Sequence, residues 1–185
     1  MTRPTLIVVD VQNDFCHGSL ATERGGAVAS LISDHLAAHR ERYEHVVVTK
    51  DWHIDPGEHF SPEPDYVDTW PVHCVAGSDG AALHDALADL RPDAVFTKGE
   101  YSAAYSGFEG SSNSVSLAAW LRERGVTDLV VCGIATDHCV RATAADGLRE
   151  GFAVTVLTHL CAPVSEERGA QALKELAAAG AQVQP

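Results

Sequence analysis

Short apolar runs alternate along this chain with segments that have helical periodicity. The apolar runs predict strands at about residues 5–10, 45–50, 94–98, 128–134 and 153–158. Apolar residues at helical spacing predict helices at about residues 27–43, 114–124, 137–150 and 165–179. This alternation is typical of a mainly parallel β-sheet with helices on both faces. We therefore expect one three-layer α/β domain over residues 1–185, a length within the range of a single domain.

The charge indicates which kinds of partner the protein would avoid, and the cysteine content indicates the compartment in which it would reside. The formal net charge is −13 with histidine neutral, which disfavours nucleic acid and anionic membranes because both require a positive surface. No apolar run reaches transmembrane length, and residues 1–20 lack the pattern of a signal peptide. Five cysteines without a disulfide pattern fit a reducing compartment. We expect a cytoplasmic protein, either a monomer or a homo-oligomer, that acts on a small molecule.

A cysteine follows the apolar strand predicted at 128–134. Cys139 is expected in the first turn of the next helix, with Thr136 or Asp137 as the cap. There the unpaired backbone N–H groups and the helix dipole favour the thiolate, which is the nucleophilic form. The alternative is a structural role, since free cysteines usually just pack, as we expect for Cys132 within the strand.

Two charged residues are predicted at the carboxyl ends of other apolar strands. Asp10 follows the apolar residues 6–9, and Lys98 follows residues 94–97. Open α/β sheets bind their ligands at this edge. Asp10 could instead cap a helix, and Lys98 could be a solvated surface charge. Their joint placement with Cys139 favours a catalytic set of carboxylate, ammonium and thiol.

A second group of candidate functional residues lies between residues 51 and 73. Residues 52–80 lack periodicity, and an irregular stretch of this length is usually functional. Asp51 and His53 are two residues apart, so on extended backbone they project from the same side. His59 follows a Pro-Gly turn, and His73 comes after Trp-Pro. One carboxylate and three imidazoles suit Zn, Fe, Mn or Co. The alternatives are chance clustering of ten histidines, or Cys74 in place of His73, but adjacent residues face opposite ways and we prefer His73.

Together these motifs resemble those of the nicotinamidases, also called pyrazinamidases, of the isochorismatase-like cysteine hydrolase superfamily. The segments that carry the resemblance are residues 7–15, 49–53, 56–60, 70–74, 98–99, 105–108 and 133–140. They are spread over nearly the whole chain. The metal motif of Asp-x-His with two further histidines marks the nicotinamidase branch, because many other members of the superfamily lack it.

The resemblance implies a role for each of these residues. Cys139 would be the nucleophile, Asp10 the general base and proton shuttle, and Lys98 the cation that orients Asp10 and favours the thiolate. One divalent transition metal, Zn, Fe or Mn, would be bound by Asp51, His53, His59 and His73. A cis peptide between Ile134 and Ala135 would direct the backbone N–H groups of Ala135 and Cys139 at the substrate oxygen. The substrate pocket would be lined by Phe15, Trp70, Tyr105 and His138.

The implied reaction is hydrolysis of nicotinamide to nicotinate and ammonia through a thioester on cysteine, in NAD salvage, with pyrazinamide as a second substrate. Two other hypotheses stay open. One is an amidase of the same superfamily with a different small carboxamide or carbamoyl substrate. The other is a catalytically silent protein that binds a metal or a small molecule, although a binding protein would not need Asp10, Lys98 and Cys139 together.

Overall fold

The core of the fold is a mainly parallel sheet. The computed structural model describes residues 3–185. In that part of the chain the strands are β1 (Thr5–Val9), β2 (His45–Asp51), β3 (Ala94–Lys98), β4 (Ser111–Ser112), β5 (Val115–Ser116), β6 (Asp128–Ile134), β7 (Ala153–Ala162) and β8 (Gln182–Gln184). They form one sheet in the order β5-β4-β3-β2-β1-β6-β7-β8. The β3–β4 and β4–β5 pairs are antiparallel, and the other neighbours are parallel.

Helices connect the strands and cover the sheet. The α-helices of the described residues are α1 (Asn13–Cys16), α2 (Gly25–His39), α3 (Leu117–Glu123), α4 (Arg141–Arg149) and α5 (Glu166–Ala178). Helices α2 and α4 both pack against β6 and β7, and α5 packs against α4. Every residue of β1 is buried although successive side chains point to opposite faces, so both faces of the sheet are covered. The expected three-layer α/β arrangement is confirmed. Within residues 3–185 no helix is long and apolar enough to span a membrane.

Most predicted elements are present, and their ends differ for local reasons. The helix predicted at 27–43 ends at His39, after which residues 40–42 form a 3₁₀ turn. The helix predicted at 114–124 begins only at Leu117, because Val115–Ser116 forms β5 and the Ser116 hydroxyl accepts a hydrogen bond from the Ala119 N–H. Strand β7 continues to Ala162, four residues beyond the predicted end.

Three strands were not predicted. Strands β4 and β5 have two residues each, and β8 has three, so none carries a readable alternation of apolar residues. Strands β5 and β8 are the two end strands of the sheet, and β4 lies between β5 and β3.

The parallel strands bring their carboxyl ends to one edge of the sheet. In the register, Val9 of β1 pairs with Thr49 of β2 and with Gly133 of β6, and Asp51 of β2 pairs with Lys98 of β3. The residues that follow these pairs therefore meet at this edge. Residues 52–80, which were expected to be irregular, contain only 3₁₀ turns and isolated bridges and lead away from the same edge.

Candidate active site

Lys98 lies at the centre of the candidate site and is fully buried. Its Nζ donates a hydrogen bond to Asp10 Oδ2 at 2.9 Å and another to Asp51 Oδ1. It also lies 3.7 Å from Cys139 Sγ and 3.3 Å from the carbonyl oxygen of Ala104. One ammonium group thus joins the two carboxylates and the thiol. The predicted convergence of Asp10, Lys98 and Cys139 is present in the fold.

Asp10 is held in a fixed orientation directly after β1. Its φ is +49°, in the left-handed region that residues with a side chain rarely adopt. The Thr49 hydroxyl donates a 2.7 Å hydrogen bond to Asp10 Oδ1, so the two carboxylate oxygens have different partners, Thr49 and Lys98. One oxygen each from Asp10 and Asp51 lies within 4.8 Å of Cys139 Sγ.

Cys139 lies in a π-helical turn, Thr136–Val140, that leads into α4. The predicted cap by Thr136 or Asp137 is wrong, because the turn has no side-chain cap. The Asp137 carboxylate instead accepts hydrogen bonds from the Val164 and Ser165 N–H groups and from Arg168 Nε. It therefore ties the turn that carries the thiol to the start of α5. The peptide bond between Ile134 and Ala135 is cis, as the resemblance implied.

The charges in this cluster depend on burial and on Lys98. Burial opposes the charge on Lys98, but Asp10 and Asp51 outweigh it and raise the pKa of Lys98 well above its ordinary value. Burial likewise opposes ionisation of Asp51, but Lys98 outweighs it and holds the pKa of Asp51 well below its usual range. For Asp10, burial prevails over Lys98 and raises the pKa. The ammonium of Lys98 and the carboxylate of Asp51 therefore stay charged.

The surroundings of Cys139 oppose the thiolate that its position at a helix start was expected to favour. Burial raises the pKa of the Cys139 thiol well above its ordinary value, and the charges of Asp10 and Asp51 act in the same direction. Lys98 lowers this pKa but does not outweigh them. The resting side chain is a thiol, and it needs a proton acceptor as it reacts. The nearby carboxylate of Asp10 is available as that acceptor.

Three histidines form a buried cluster beside Asp51. One ring nitrogen each of His53, His59 and His73 lies within 4.8 Å of the others. Asp51 Oδ2 is 3.6 Å from His53 Nε2 and 3.8 Å from His73 Nε2. Two buried nitrogens of the cluster, His53 Nε2 and His59 Nδ1, have no hydrogen-bond partner. Buried polar atoms without a partner are rare in folded proteins, and a metal ion would satisfy these two.

The surroundings of the histidines also fit a metal site. The Nδ1–H of His53 donates to the Gly99 carbonyl oxygen at 2.6 Å, and that of His73 donates to the Pro71 carbonyl oxygen at 2.7 Å. Such outer contacts fix the ring and leave Nε2 as the ligand atom. Burial and the neighbouring imidazoles lower the pKa of His59 to about 4, which keeps its ring neutral, as ligation requires. Cys74 is not part of the cluster, in agreement with the preference for His73.

A glycine makes room for His53. Gly99 has a φ of +76°, and a Cβ at this position would lie 2.7 Å from His53 Cε1. A side chain would therefore be strained by the backbone and would also displace the ring. The Lys98-Gly99 pair thus supplies the central ammonium group and, in the next residue, the space and the carbonyl oxygen that position a histidine.

A cavity of about 30 Å³, open to solvent on one side, lies in front of Cys139. Its wall is mostly apolar and is formed by Phe15, Leu20, Thr22, Asp51, His59, Trp70, His73, Ala104, Tyr105, Ala135, His138, Cys139 and Val164. The four residues predicted to line the substrate pocket are among them. Trp70 Nε1 donates to Tyr105 Oη at 3.2 Å, and the Trp70 ring packs edge-on against His138 at 4.9 Å. Thiol, histidine cluster and aromatic side chains thus share one cavity.

Sequence reasoning missed several residues that hold the site together. Besides Thr49, Gln12 holds Asp51: its Oε1 accepts from the Asp51 N–H, and its Nε2 donates to the Asp51 carbonyl oxygen, both at 2.8 Å. Asp14 accepts a 2.7 Å hydrogen bond from the Cys74 N–H, next to His73. Residues two apart on extended backbone share a face, so the sequence could have indicated that Thr49 lies beside Asp51 on β2. Asp14 gave none, because its partner lies sixty residues away.

The comparisons with known proteins agree with this geometry. Residues 4–185 match the family model of the isochorismatase domain. The chain belongs to the isochorismatase family. Among its relatives, the nicotinamidase/pyrazinamidase of Mycobacterium tuberculosis is 54% identical over 180 residues, which are 96% of each chain.

Solved structures of isochorismatase-like proteins have the same fold. A pyrazinamidase of Pyrococcus horikoshii in complex with zinc superposes with a TM-score of 0.83 at 35% identity and covers 99% of both chains. PnC1 from L. infantum in complex with nicotinate superposes with a TM-score of 0.85 at 36% identity, over 98% of this chain and 92% of the other. The protein is therefore an isochorismatase-family hydrolase with a candidate metal site.

Proposed function

We propose that this isochorismatase-family protein is a metal-dependent nicotinamidase, which hydrolyses nicotinamide to nicotinate and ammonia and also accepts pyrazinamide. The observation that carries the proposal is the contact of Lys98 with Asp10, Asp51 and Cys139 beside a cavity that Cys139 lines together with His59 and His73 of the buried histidine cluster. Its relative from M. tuberculosis is named for both activities, and a structural neighbour was solved with nicotinate.

In the first half of the reaction, the thiol of Cys139 attacks the amide carbon. As the S–C bond forms, the thiol proton moves to the Asp10 carboxylate, whose oxygen lies within 4.8 Å of Sγ. This transfer is needed because the thiol is protonated at rest. Asp10 then gives the proton to the amide nitrogen as the C–N bond breaks. Ammonia leaves, and the acyl group stays on Cys139 as a thioester.

In the second half, water replaces ammonia. Asp10 removes a proton from the water as its oxygen attacks the thioester carbon, and the proton passes to the sulfur as the S–C bond breaks. Lys98 stays charged throughout and keeps Asp10 in place through its 2.9 Å hydrogen bond. The sum of the two halves is amide plus water to acid plus ammonia, so Cys139 and Asp10 return to their starting states.

The wall of the cavity binds the substrate. The backbone N–H groups of Ala135 and Cys139 are the proposed donors to the carbonyl oxygen, and one such donor typically contributes roughly 3–4 kcal/mol to stabilisation of the oxyanion. Phe15 and Trp70 are the proposed partners of the two faces of the pyridine ring. Tyr105 and His138 close the side of the pocket next to Trp70.

The metal ligands of this proposal are Asp51, His53, His59 and His73. When bound, a divalent transition metal supplies a Lewis acid that anchors the pyridine nitrogen, directly or through a water molecule. Asp51 contacts both the catalytic residues and the histidine cluster. Its Oδ1 accepts a hydrogen bond from Lys98, and its Oδ2 faces the imidazoles of His53 and His73. Positioning of the substrate by such an anchor can lower the activation free energy by several kcal/mol.

The proposed setting is NAD salvage in the cytoplasm, with nicotinamide as a small-molecule partner and neither nucleic acid nor membrane involved. The formal charge of −13 supports this setting, since polyanions would be repelled. The protein would act as a monomer or as a homo-oligomer.

The test is ammonia release by purified, metal-loaded protein. Nicotinamide and pyrazinamide should both yield ammonia and the corresponding acid, while Cys139→Ala should be inactive with unchanged circular dichroism and metal content. Cys132→Ala is the matched control, because Cys132 is buried within β6 and should not affect turnover. Absence of ammonia from both amides in folded, metal-loaded protein, with turnover of another small carboxamide or carbamoyl compound, would assign the site to a different amidase of the family.

A further inference from the structure

Cys74 contacts two members of the histidine cluster through its backbone. It follows His73 directly in the chain, and its carbonyl oxygen accepts a 3.0 Å hydrogen bond from the His53 N–H. Cys74 is completely buried, and its φ of +45° lies in the left-handed region that residues with a side chain rarely adopt. A backbone in this region persists only where the surrounding structure holds it. The positions of both histidines therefore depend on what holds Cys74.

The carboxylate of Asp14, in α1, holds this backbone. Its Oδ2 accepts a 2.7 Å hydrogen bond from the Cys74 N–H, and its Oδ1 accepts a 3.2 Å hydrogen bond from the Ser19 N–H. Hydrogen bonds to an ionised acceptor are roughly twice as strong as those between neutral groups. Asp14 does not belong to the groups of described residues that could hold a metal ion. Its contact with the histidine cluster is therefore indirect, through the backbone of Cys74.

Two glycines leave room for this carboxylate. A Cβ at Gly18 would lie 2.6 Å from Asp14 Cα, and a Cβ at Gly80 would lie 2.5 Å from Asp14 Cγ. Both distances are too short for a real Cβ, so a side chain at either position would displace Asp14. The Cβ at Gly80 would also meet both carboxylate oxygens. A substitution at Gly80 should therefore disturb the hydrogen bond to Cys74 without removal of Asp14.

We propose that Asp14 is a positioning residue for the metal ligands His53 and His73. Its hydrogen bond fixes the backbone of Cys74, which fixes His73 as its neighbour in the chain and His53 through the hydrogen bond from the His53 N–H. Asp14 would thus raise the affinity of the metal site of the proposed function, on which this proposal rests, although it lines no part of the cavity. Outer partners of metal ligands typically raise the affinity about 10- to 100-fold.

The test measures the zinc affinity of the metal-loaded protein directly. Zinc-loaded protein is titrated with a chromophoric chelator of known affinity, and the dissociation constant follows from the zinc that the chelator removes. Asp14→Ala should raise the dissociation constant by about 10-fold or more. Asp14→Asn keeps an oxygen that can accept from the Cys74 N–H, so its dissociation constant should lie much closer to that of wild type. No substrate is present, so the result does not depend on which amide the protein hydrolyses.

Asp93→Ala is the matched control. Asp93 also accepts a hydrogen bond from a distant backbone N–H, that of Val46 at 2.8 Å, but it lies outside the histidine cluster and the cavity. Its replacement removes the same kind of bond and should lower the free energy of unfolding while the zinc affinity stays unchanged. If Asp14 had only a structural role of this kind, Asp14→Ala would also leave the zinc affinity unchanged.

Gly80→Ala tests the same contact in a protein that keeps Asp14. The added Cβ should push the carboxylate away from the Cys74 N–H and weaken zinc binding, with little further effect in protein that already carries Asp14→Ala. If Asp14→Ala does not fold, Gly80→Ala in the wild-type background decides the question.

An unchanged dissociation constant in folded Asp14→Ala or Gly80→Ala would overturn the proposal. Equal losses in Asp14→Asn and Asp14→Ala would also overturn it, because the charge of Asp14 would then account for them and not its hydrogen bond to Cys74. Wild type that binds no zinc would overturn the metal-dependent function together with this proposal, whereas the other outcomes concern Asp14 alone.

Discussion

Replacement of Lys98 by methionine should destabilise the protein far more than loss of a surface lysine. Lys98 is fully buried, with Nζ 2.9 Å from Asp10 Oδ2 and bonded to Asp51. Methionine has a similar length but no charge, so the variant keeps two buried carboxyl groups and removes the ammonium group between them. Oxygens of these two groups lie within 4.8 Å of each other.

The magnitude follows from the unpaired charges. Removal of one partner of a buried ion pair typically costs about 3–5 kcal/mol, because the other charge is left uncompensated. Here one ammonium group pairs with two carboxylates, so we expect a loss at the upper end of this range, about 5 kcal/mol. The free energy of unfolding of a typical domain is only roughly 5–15 kcal/mol. Protonation of Asp10, whose pKa burial already raises, relieves part of this cost at low pH.

The pH dependence has a definite sign. A carboxyl group whose pKa is higher in the folded state holds its proton more tightly there, so its stabilising contribution is present at low pH and lost as the pH rises through the folded-state pKa. Without Lys98 the pKa of Asp10 rises further, and that of Asp51 rises because it loses the largest of the effects that depress it. The free energy of unfolding of Lys98→Met should therefore fall further below that of wild type as the pH rises above about 4, the ordinary pKa of aspartate.

The assay is urea unfolding followed by tryptophan fluorescence between pH 5 and pH 8. Both proteins are measured with excess chelator, so that release of metal contributes equally. Lys174→Met, on the exposed side of α5, is the control and should change the unfolding free energy by no more than about 0.5 kcal/mol. A loss below about 1 kcal/mol for Lys98→Met, or a deficit that shrinks as the pH rises, would refute the assignment of Lys98 as the counter-charge of both carboxylates.

Three other predictions test the thiol, the glycine at His53 and the metal ligands. Iodoacetamide should alkylate Cys139 before the other cysteines, because Cys139 lines the cavity, and the rate should rise about tenfold per pH unit from pH 7 to pH 9 since burial raises its pKa. Peptide mapping checks this, and a plateau below pH 8 would contradict it. Gly99→Ala should weaken metal binding in a zinc titration, whereas Gly151→Ala, also at positive φ but in open space, should only lower stability, by about 1 kcal/mol. His53→Ala should abolish amide turnover but leave alkylation of Cys139 intact, and loss of both would place the histidines in activation of the thiol.

The position of the catalytic set was predictable because it depends on few assumptions. Apolar runs between helical segments predict parallel strands, and parallel strands end at one edge of a sheet. Asp10, Lys98 and Cys139 each end or follow such a run, so their meeting did not require knowledge of the loops. The irregular residues 52–80 could only be identified as functional, since their path depends on hydrogen bonds over long separations, such as that from Cys74 to Asp14.

The protonation of the thiol and the cap of its helix were not predictable from local patterns. The rule that a helix start favours a thiolate assumes contact with solvent, whereas Cys139 is almost completely buried beside two carboxyl groups. The cap rule considers residues within one turn, but Asp137 binds the backbone of Val164 and Ser165. In both cases the deciding groups come from distant parts of the chain.

The histidine cluster also has a consequence for the conformational entropy of residues 52–80. His59 and His73 bracket the middle of this segment, and the backbone N–H of Trp70 donates to the His59 carbonyl oxygen at 2.9 Å. A metal that joined His53, His59 and His73 would close the segment into two loops and would lower the entropy of any state in which it detaches. The aromatic wall at Trp70 would then be ordered by the same ion that holds the histidines. Proteolytic cleavage between His59 and Trp70 should accordingly become slower as metal is added, even in the absence of any substrate.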